Sequence, residues 1–400
     1  ALSAGLDTRV KGRAVIVYNP VASDREDIVT AELTYTSMPK NIRVLDKDGK
    51  VVPSQITETR GDTLEFIFLA KVNPAGLTVF DVQESDKAQP ANAGLKVSAS
   101  SLENDYYTVK FDSKGNIAGI YDKKGSRELL SEPASLVFLH EEPSTYPAWN
   151  MDWKDRKNPP IASLDQNVTM RVLENGPVRV AVEITRTGLN SRIKQVFSLA
   201  AGEAGKHIDV VNKLDWQSRE VSLKAAFPFS LDNHDATYNL GAGTISRSTN
   251  NEVKYEVPSN QWIDITDASG KYGVSILEDC KYGSDKPDDH TLRLTLMYTP
   301  KTSGFNYQNS QDWGIHDFRY GIYPHSGNWI QGGTQQQGAF FNQPLLAFEA
   351  PKHTGTLGKD WSMVKINNNA VGVMAVKKME HGDYYIIRVN ELHVLAQYHI

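Results

Sequence analysis

The sequence predicts an all-β protein in which a small antiparallel β-sandwich is followed by a large one. Short runs of β-branched and aromatic residues recur along nearly the whole chain, and turn sequences such as KDGK (47–50) separate them. The runs follow one another at intervals of roughly 10–15 residues, which favours antiparallel strands over βαβ units. No 3.6-residue apolar stripe is sustained, and only 356–362 and parts of 23–31 could form a helix.

The first predicted domain is a small β-sandwich at 1–85. Its predicted strands are AVIVYN at 14–19, IRVLD at 42–46, LEFIFLA at 64–70 and LTVFDV at 77–82. The polar segment that follows, 83–100, contains proline, glycine and alanine and lacks the pattern of a core strand. We therefore predict a linker at 86–100 between two domains.

The second predicted domain is a large β-sandwich at 101–350. It opens with strands that the turn sequences DSKGN and DKKG separate within 103–125. Further strands are predicted at 168–174, 178–188, 207–216 and 221–230. They exceed the usual length of about five or six residues, which is typical of a large pair of packed sheets. The remaining residues, 351–400, are predicted to add closing strands that pack on the sandwiches.

Composition and charge exclude several classes of protein. Hydrophobic residues make up 40% of the chain and charged residues 23%, as in ordinary globular proteins. A net charge of −5 offers no basic surface for phosphates, so we expect no nucleic-acid partner. No apolar run approaches the roughly 18 residues of a membrane span, so we expect a soluble protein with no membrane contact, in a compartment that the sequence does not determine.

The lone cysteine and the two chain ends carry a few further expectations. Cys280 has no partner for a disulfide, and its place in the apolar run GVSILEDC predicts a buried, inert thiol. The chain begins with Ala1 rather than Met, so we expect a processed chain or a piece of a longer one. The final run NELHVLAQYHI carries no turn signal, so the natural protein is expected to continue beyond Ile400.

The sequence contains no convincing active site. His207 and Asp209 form an H-x-D pair on one face of a predicted strand, but no second pair completes a metal-ligand set, so a polar outer strand face is the preferred interpretation. Neighbouring carboxylates occur as Glu141/Glu142, Asp152/Asp155, Asp264/Asp267 and Glu278/Asp279. Solvated loop charges and turn caps explain these pairs better than the paired acids of glycoside hydrolysis do. The sequence therefore predicts no catalytic residue and no metal ligand in this chain.

The stretch YPAWNMDW at 146–153 mixes aromatic residues with Asn150 and Asp152. Aromatic faces stack on sugar rings, and amide and carboxylate groups bind hydroxyls, so this mixture suits a carbohydrate surface. A hydrophobic loop packed on the sandwich explains the same residues, and both interpretations stay open.

Several sequence blocks stand out in order along the chain: GRAVIVYNPVASDREDIVTAEL at 12–33, NDYYTVKFDSKGNIAGIYDKKGSREL at 104–129, LEDCKYG at 277–283, LTLMYTP at 294–300 and WGIHDFRYGIYPHSGNW at 313–329. Together they resemble the C-terminal β region of the α-mannosidases of glycoside hydrolase family 38. The resemblance implies that the large domain is a galactose-mutarotase-like supersandwich. It also implies that zinc and the carboxylate nucleophile belong to an N-terminal catalytic domain absent from these 400 residues, so this chain itself is expected to hold no cofactor.

The resemblance also implies candidate substrate-binding residues. The stretch EEPSTYPAWNMDW at 141–153 is similar to a family segment that lies toward the catalytic face, although Pro147 and its neighbour depart from the family's Trp-Asp pair. In LTLMYTP, a tyrosine stands where many family members have arginine. The candidates are Tyr146, Trp149, Asp152 and Tyr298.

The leading hypothesis is the C-terminal, non-catalytic β region of a zinc-dependent retaining α-mannosidase that hydrolyses terminal α-linked mannose. Such a chain would be inactive alone, would support its own N-terminal catalytic domain and would shape the cleft for the α-mannoside. Loops at 141–156 and 300–315 are expected to contact that domain or, in a homo-oligomer, another copy. Two alternatives stay open: a stand-alone carbohydrate-binding β-sandwich module, and an aldose mutarotase-type enzyme with a histidine acid and a carboxylate base.

Overall fold

The computed structural model of the chain describes residues 2–92, 94–302, 308–368 and 370–393. Antiparallel sheets dominate these residues, and the predicted all-β fold is confirmed. The strands predicted from the sequence coincide with observed strands to within a few residues at their ends. The segments of alternating β-branched and aromatic residues thus form strands throughout the described chain.

The strands fall into three stretches along the chain. The first contains β1 (Arg13–Asn19), β2 (Arg25–Thr34), β3 (Asn41–Leu45), β4 (Val51–Val52), β5 (Ser54–Arg60), β6 (Thr63–Val72) and β7 (Gly76–Ser85). The second contains β8 (Lys96–Ser98), β9 (Ser101–Glu103), β10 (Tyr107–Phe111), β11 (Ile117–Asp122), β12 (Arg127–Glu128), β13 (Ser135–His140), β14 (Ala162–Ser163), β15 (Gln166–Asn175), β16 (Arg179–Gly188), β17 (Ser191–Ala200), β18 (Ile208–Trp216) and β19 (Val221–Pro228). The third contains β20 (Asp235–Asn239), β21 (Thr244–Ser248), β22 (Val257–Pro258), β23 (Trp262–Thr266), β24 (Tyr272–Asp279), β25 (Gly283–Asp285), β26 (Thr291–Thr299), β27 (Gly314–Ser326), β28 (Leu346–Ala350), β29 (Asp360–Ser362), β30 (Val371–Lys378) and β31 (Tyr385–Glu391).

Helices are short. They are α1 (Trp153–Arg156), α2 (Thr334–Asn342) and the 3₁₀ turns Ser3–Gly5 and Gly202–Lys206. The helical alternatives at 23–31 and 356–362 are wrong, because these segments contain the start of β2 and all of β29. Helix α2, which the sequence does not predict, begins after Gly333, whose φ of 70° is a left-handed conformation that glycine adopts at little cost. In the described chain, no helix combines the length and apolar composition needed to cross a membrane.

The small sandwich packs a sheet of order β28-β1-β7-β3-β4 against a sheet of order β2-β6-β5. Apolar side chains from both sheets meet in its core, among them Val15, Val17, Phe66, Phe68 and Phe80. This alternation along β1 and β6 leaves one face of each strand for the core. The small sandwich therefore has a core of its own.

The end of the chain returns to the small sandwich. Strand β28 pairs with β1, and β29 pairs with β7, whereas β30 and β31 pair with each other within the described residues. The predicted domain boundaries stay a prediction, to which the pairing adds that β28, inside the predicted range 101–350, joins a sheet of the small sandwich. The predicted continuation of the chain concerns 394–400, which lie outside the described residues.

The large sandwich packs two sheets against each other. We call the sheet of order β15-β16-β17-β18-β27-β24-β23-β20-β21 the long sheet, and the sheet of order β14-β13-β19-β26-β25-β22 the facing sheet. A third sheet, β12-β11-β10-β9-β8, shares their core. Along β18, Ile208, Val210 and Leu214 are buried in that core, so Asp209 lies on the opposite, outer face. The long sheet thus has an apolar inner face and a more polar outer face.

Cys280 corrects one expectation from the sequence. Strand β24 ends at Asp279, and Cys280 follows it with a φ of 60°. The cysteine is exposed there. The predicted burial of the thiol is wrong, because the apolar strand pattern stops one residue before it.

Candidate functional site

The candidate residues meet at the loop that joins β13 to α1, which we call the platform loop (141–156). Strand β13 pairs with β19, and β19 pairs with β26, which carries Tyr298. The Tyr298 hydroxyl donates a hydrogen bond of 2.5 Å to the Asn150 carbonyl. The Tyr255 hydroxyl donates one of 2.6 Å to the Met151 carbonyl. Two tyrosines therefore hold the middle of the platform loop against the facing sheet.

Asp152 is engaged inside the platform loop. Its carboxylate accepts hydrogen bonds from the Ser144 backbone N–H at 2.7 Å and from the Ser144 hydroxyl at 2.5 Å. Asp155 accepts the backbone N–H of Glu142 at 2.9 Å. These bonds close the two halves of the loop on each other, so the structure places Asp152 at the site as a residue that shapes the loop.

Tyr146 and Trp149 form the exposed part of the platform loop. Their side chains are 65% and 83% exposed, and their ring centroids lie 6.4 Å apart in an edge-to-face arrangement. Tyr146 has a φ of 49°, and its carbonyl accepts the N–H groups of Trp149 and Asn150 at 2.9 Å. Trp153 instead packs 5.6 Å from the ring of Tyr255. The interpretation of a packed hydrophobic loop thus describes Trp153, whereas Tyr146 and Trp149 face solvent.

A buried network of charges lies beneath the platform loop. It pairs three carboxylates with three cations within the described residues: Glu141, Glu256 and Asp285 with Arg156, Lys224 and Arg293. Arg156 donates to Glu141, which also accepts the Ser222 hydroxyl at 2.6 Å. Lys224 Nζ lies 2.9 Å from Asp285 Oδ1. Buried pairs add little net stability, but loss of one partner leaves a charge uncompensated, so the network fixes one arrangement of the loop.

The surroundings of these groups shift their pKa values in opposite directions. Burial raises the pKa of Glu141, and Arg156 opposes that shift. Burial acts in the same direction on Asp285, but Lys224 and Arg293 hold its pKa below the ordinary range. Burial and then the Glu141 carboxylate raise the pKa of Tyr298, so its hydroxyl stays a neutral donor. Tyr298 therefore offers the loop a ring and an uncharged hydroxyl.

Three of the neighbouring carboxylates occupy different environments from those expected. Glu141, Asp264 and Glu278 are buried, so the expectation of solvated charges is wrong for them, because each faces the interior from a strand or a strand end. Asp264 accepts the Ser275 hydroxyl at 2.8 Å and lies 2.7 Å from His325 Nε2. Neither carboxylate oxygen of Glu278 has a hydrogen-bond partner in the described chain, and burial raises the pKa of Glu278 to about 8.

The described residues do not fit a zinc site. Among them, no group of three histidines, cysteines, aspartates or glutamates is placed to hold a metal ion. The H-x-D pair of His207 and Asp209 lies at β18, as predicted, but it lines a cavity that also contains Arg179 and Arg319. Two guanidinium groups in the same cavity oppose the binding of a dication. The strand prediction is confirmed, whereas the polar face is enclosed rather than open.

The fold also occurs in solved structures of longer proteins. A protein in the glycosyl hydrolase family 38 from Enterococcus faecalis matches with a TM-score of 0.79 at 17% identity. An alpha-mannosidase from the same organism matches with a TM-score of 0.80 at 16% identity. These matches cover 98% of this chain and 54% and 52% of the solved chains. The chain therefore has the two-sandwich β architecture of glycosyl hydrolases of this class.

The family follows from the sequence of the large sandwich. The sequence profile of the "Glycosyl hydrolases family 38 C-terminal domain" matches residues 102–303, which is half of the chain. The chain belongs to this family, and the resemblance found from its sequence blocks is confirmed.

Curated relatives are longer than this chain. Alpha-mannosidase 2C1 of Homo sapiens is 27% identical over 328 residues, and Alpha-mannosidase G of Dictyostelium discoideum is 25% identical over 305 residues. The matches cover 79% and 72% of this chain but 29% and 27% of the relatives. The chain thus spans less than a third of the relatives it matches, and their activity as whole proteins does not transfer to it directly.

Proposed function

We propose that this chain is the C-terminal, non-catalytic β region of a zinc-dependent retaining α-mannosidase that acts on terminal α-linked mannose. Its role is to support an N-terminal catalytic domain, which supplies the zinc, and to shape the substrate cleft. Family membership and the names of the relatives support the class of reaction. The observation that carries the role of this chain is the exposed pair of Tyr146 and Trp149 over the buried charge network.

The platform loop suits a sugar surface because its aromatic rings are held in place before any ligand arrives. Tyr298 and Tyr255 fasten its backbone, and the charge network supports it from below. A preorganised ring loses little conformational entropy when a sugar stacks on it. We propose that Tyr146, Trp149, Asp152 and Tyr298 lie within reach of the substrate cleft. The same ring pair would also serve a stand-alone carbohydrate-binding module, which is the second candidate.

The test is the effect of Trp149→Ala in an enzyme that contains both this chain and the catalytic domain. We expect KM for a mannose-containing oligosaccharide to rise about tenfold, which corresponds to about 1.4 kcal/mol of lost contact. We expect kcat for a small aryl α-mannoside to stay unchanged, because the lost contact binds substrate and transition state equally. Steady-state kinetics on both substrates measure the difference.

The matched control is Tyr121→Ala, since Tyr121 is an exposed aromatic residue on β11, away from the platform loop. It should leave both kinetic constants at their parent values. An unchanged oligosaccharide KM in folded Trp149→Ala would contradict a role in the cleft. Turnover of the aryl α-mannoside by the 400-residue chain alone would contradict the non-catalytic role, and oligosaccharide binding without turnover in either protein would favour the binding module.

A further inference from the structure

A cavity of about 430 Å³ lies between the small sandwich and the outer face of the long sheet. We call it the inter-sandwich cavity, and its polar and aromatic walls include Arg25, Arg179, His207, Asp209, Arg319 and Phe341. Its volume falls in the range of roughly 300–1,000 Å³ that small-molecule sites occupy, and such sites favour junctions between domains. The cavity lies apart from the platform loop, none of whose residues line it.

The sheet register brings the floor of the cavity together. Asp209 on β18 stands between Ser198 on β17 and Gly321 on β27, on the face opposite the core. A Cβ atom at Gly321 would lie 3.1 Å from the Phe341 ring and 3.5 Å from His207. The glycine therefore lets α2 approach the sheet closely enough to close one side of the cavity.

Two arginines from different sandwiches hold that closing helix. Arg25 on β2 donates to the Gln343 carbonyl at 2.5 Å and to the Phe340 carbonyl at 2.7 Å, and it is paired with Asp27. Arg319 on the long sheet donates to the Phe341 carbonyl. Carbonyl groups at the end of a helix lack partners within the helix, so these bonds are the ones that α2 needs. The wall is fastened, and the donors of Arg25 are used in fastening it.

Other polar groups in the cavity are not used. No described residue donates a hydrogen bond to the Asp209 carboxylate, although its Oδ1 atom is buried. Arg179 binds Glu174 through Nε and Nη2, at 2.9 Å and 2.7 Å, and its Nη1 has no hydrogen bond to the described chain. His207 makes an edge-to-face ring contact with Phe341 but no hydrogen bond within the described residues, and burial lowers its pKa. A buried acceptor without a partner is costly, so these groups need an explanation.

We propose that the inter-sandwich cavity binds a monosaccharide-sized polyol whose hydroxyl groups donate to Asp209 and accept from Arg179. A free anion would meet the carboxylates of Asp209 and Asp27, and a free cation would meet the guanidinium groups. A hydroxyl group both donates and accepts, so it satisfies the two kinds of group together. The neutral imidazole of His207 has the same double capacity, and the ring of Phe341 supplies an apolar contact. The proposal does not rest on the proposed function, because it uses only groups of this cavity.

The test is a calorimetric titration of the 400-residue chain with D-mannose, D-glucose and D-galactose. The chain carries Trp149→Ala throughout, so that the platform loop cannot account for the signal. At least one sugar should bind saturably with a Kd on the order of 1 mM, as suits a small ligand with few contacts. Asp209→Asn should weaken that binding tenfold or more, because an amide presents only one acceptor and adds donors beside Arg179.

Two further variants make the result specific. Asp215→Asn is the matched control, since Asp215 lies on the same strand and the same face but is exposed and outside the cavity, and it should change Kd less than twofold. Thr30→Trp places a ring at an exposed position of the cavity wall and should abolish binding. Circular dichroism confirms folding, and if Asp209→Asn does not fold, Thr30→Trp decides.

Three outcomes would overturn the proposal. The first is no saturable binding of any of the three sugars by the folded chain. The second is sugar binding that folded Asp209→Asn and Thr30→Trp leave unchanged, which would place the ligand elsewhere. The third is tighter binding of inorganic phosphate or sulfate, weakened by salt, in a titration under the same conditions, which would make the cavity an anion site.

Discussion

The platform loop and the inter-sandwich cavity both withdraw charged groups from water, but they treat those groups differently. Beneath the loop, Glu141 has Arg156, and Asp285 has Lys224 and Arg293. In the cavity, Asp209 receives no hydrogen bond from the described chain. Buried charges that are paired fix a conformation, whereas an acceptor left without a partner retains the capacity to bind something else. The first region therefore reads as a support and the second as a receptor.

The two regions also differ in which way they face. Tyr146 and Trp149 are exposed at the surface of the loop, and a ring pair of this kind can accept an extended glycan. Phe341 and His207 instead line an enclosed space, which admits only a small molecule. On the two proposals, one chain would bind carbohydrate at two places that differ in the size of the ligand they take.

Removal of one buried carboxylate should show how strongly the support depends on pairing. Glu141→Ala leaves Arg156 buried without its partner and Ser222 without an acceptor. We expect a loss of about 3–5 kcal/mol in the free energy of unfolding, the usual effect of breaking a buried pair. Urea unfolding followed by circular dichroism at pH 7 measures it.

The adjacent residue provides the matched control for that measurement. Glu142 is a glutamate on the same loop that pairs with Lys301 at 2.9 Å at the surface. Glu142→Ala should leave the urea midpoint unchanged, because a solvent-screened pair contributes little. If the two alanine variants unfolded at the same urea concentration, the network would not be the support described above.

Much of the fold follows from the sequence because strand periodicity and turns are local signals. The predicted strands from AVIVYN to VSLKAAFPFS are observed, since their alternating apolar residues need only one packed face. Helix α2 escapes prediction because its sequence, TQQQGAFFN, lacks an apolar stripe and is held by Arg25 and Arg319 from distant strands. Tertiary contacts of this kind have no local signature.

The sites are less predictable than the strands. The aromatic residues of the platform loop are visible in the sequence, but their exposure depends on how Tyr298 and Tyr255 fasten the backbone. A charged residue inside an apolar run, such as Lys224 in VSLKAAFPF, is a local sign of a buried pair, although its partner cannot be read from it. The cavity around Asp209 has no such sign, because the alternation in β18 looks the same whether the outer face is open or covered.

A second prediction concerns a buried acid without any cation. Burial raises the pKa of Glu278 to about 8, against roughly 4.3 for an unfolded glutamate. Between these values the folded chain binds a proton that the unfolded chain has released, so stability falls as pH rises, by up to about 1.4 kcal/mol per pH unit. Glu278→Gln, which cannot ionise, should remove this slope. Urea midpoints at pH 5, 6, 7 and 8 provide the measurement.

The neighbouring residue serves as the comparison for this pH dependence. Asp279→Asn alters a partly exposed carboxylate beside Arg319 and should keep the slope of the parent chain. Parallel profiles for the parent and Glu278→Gln would show that Glu278 is ionised in the folded state, and that some partner compensates its charge. Glu278 would then belong with the paired acids beneath the platform loop.

The smallest effect is expected at Asp209, and it bears most directly on the comparison. Asp209→Asn removes a carboxylate that no described residue bonds, so without ligand the free energy of unfolding should change by less than about 1 kcal/mol. Urea unfolding in the absence of sugar measures this value beside that of Glu141→Ala. A loss of about 3 kcal/mol or more would mean that Asp209 is paired as tightly as Glu141 and has only a structural role. A small change, together with weakened sugar binding, would mean that the carboxylate is kept at some cost in stability for a ligand, as binding sites commonly are.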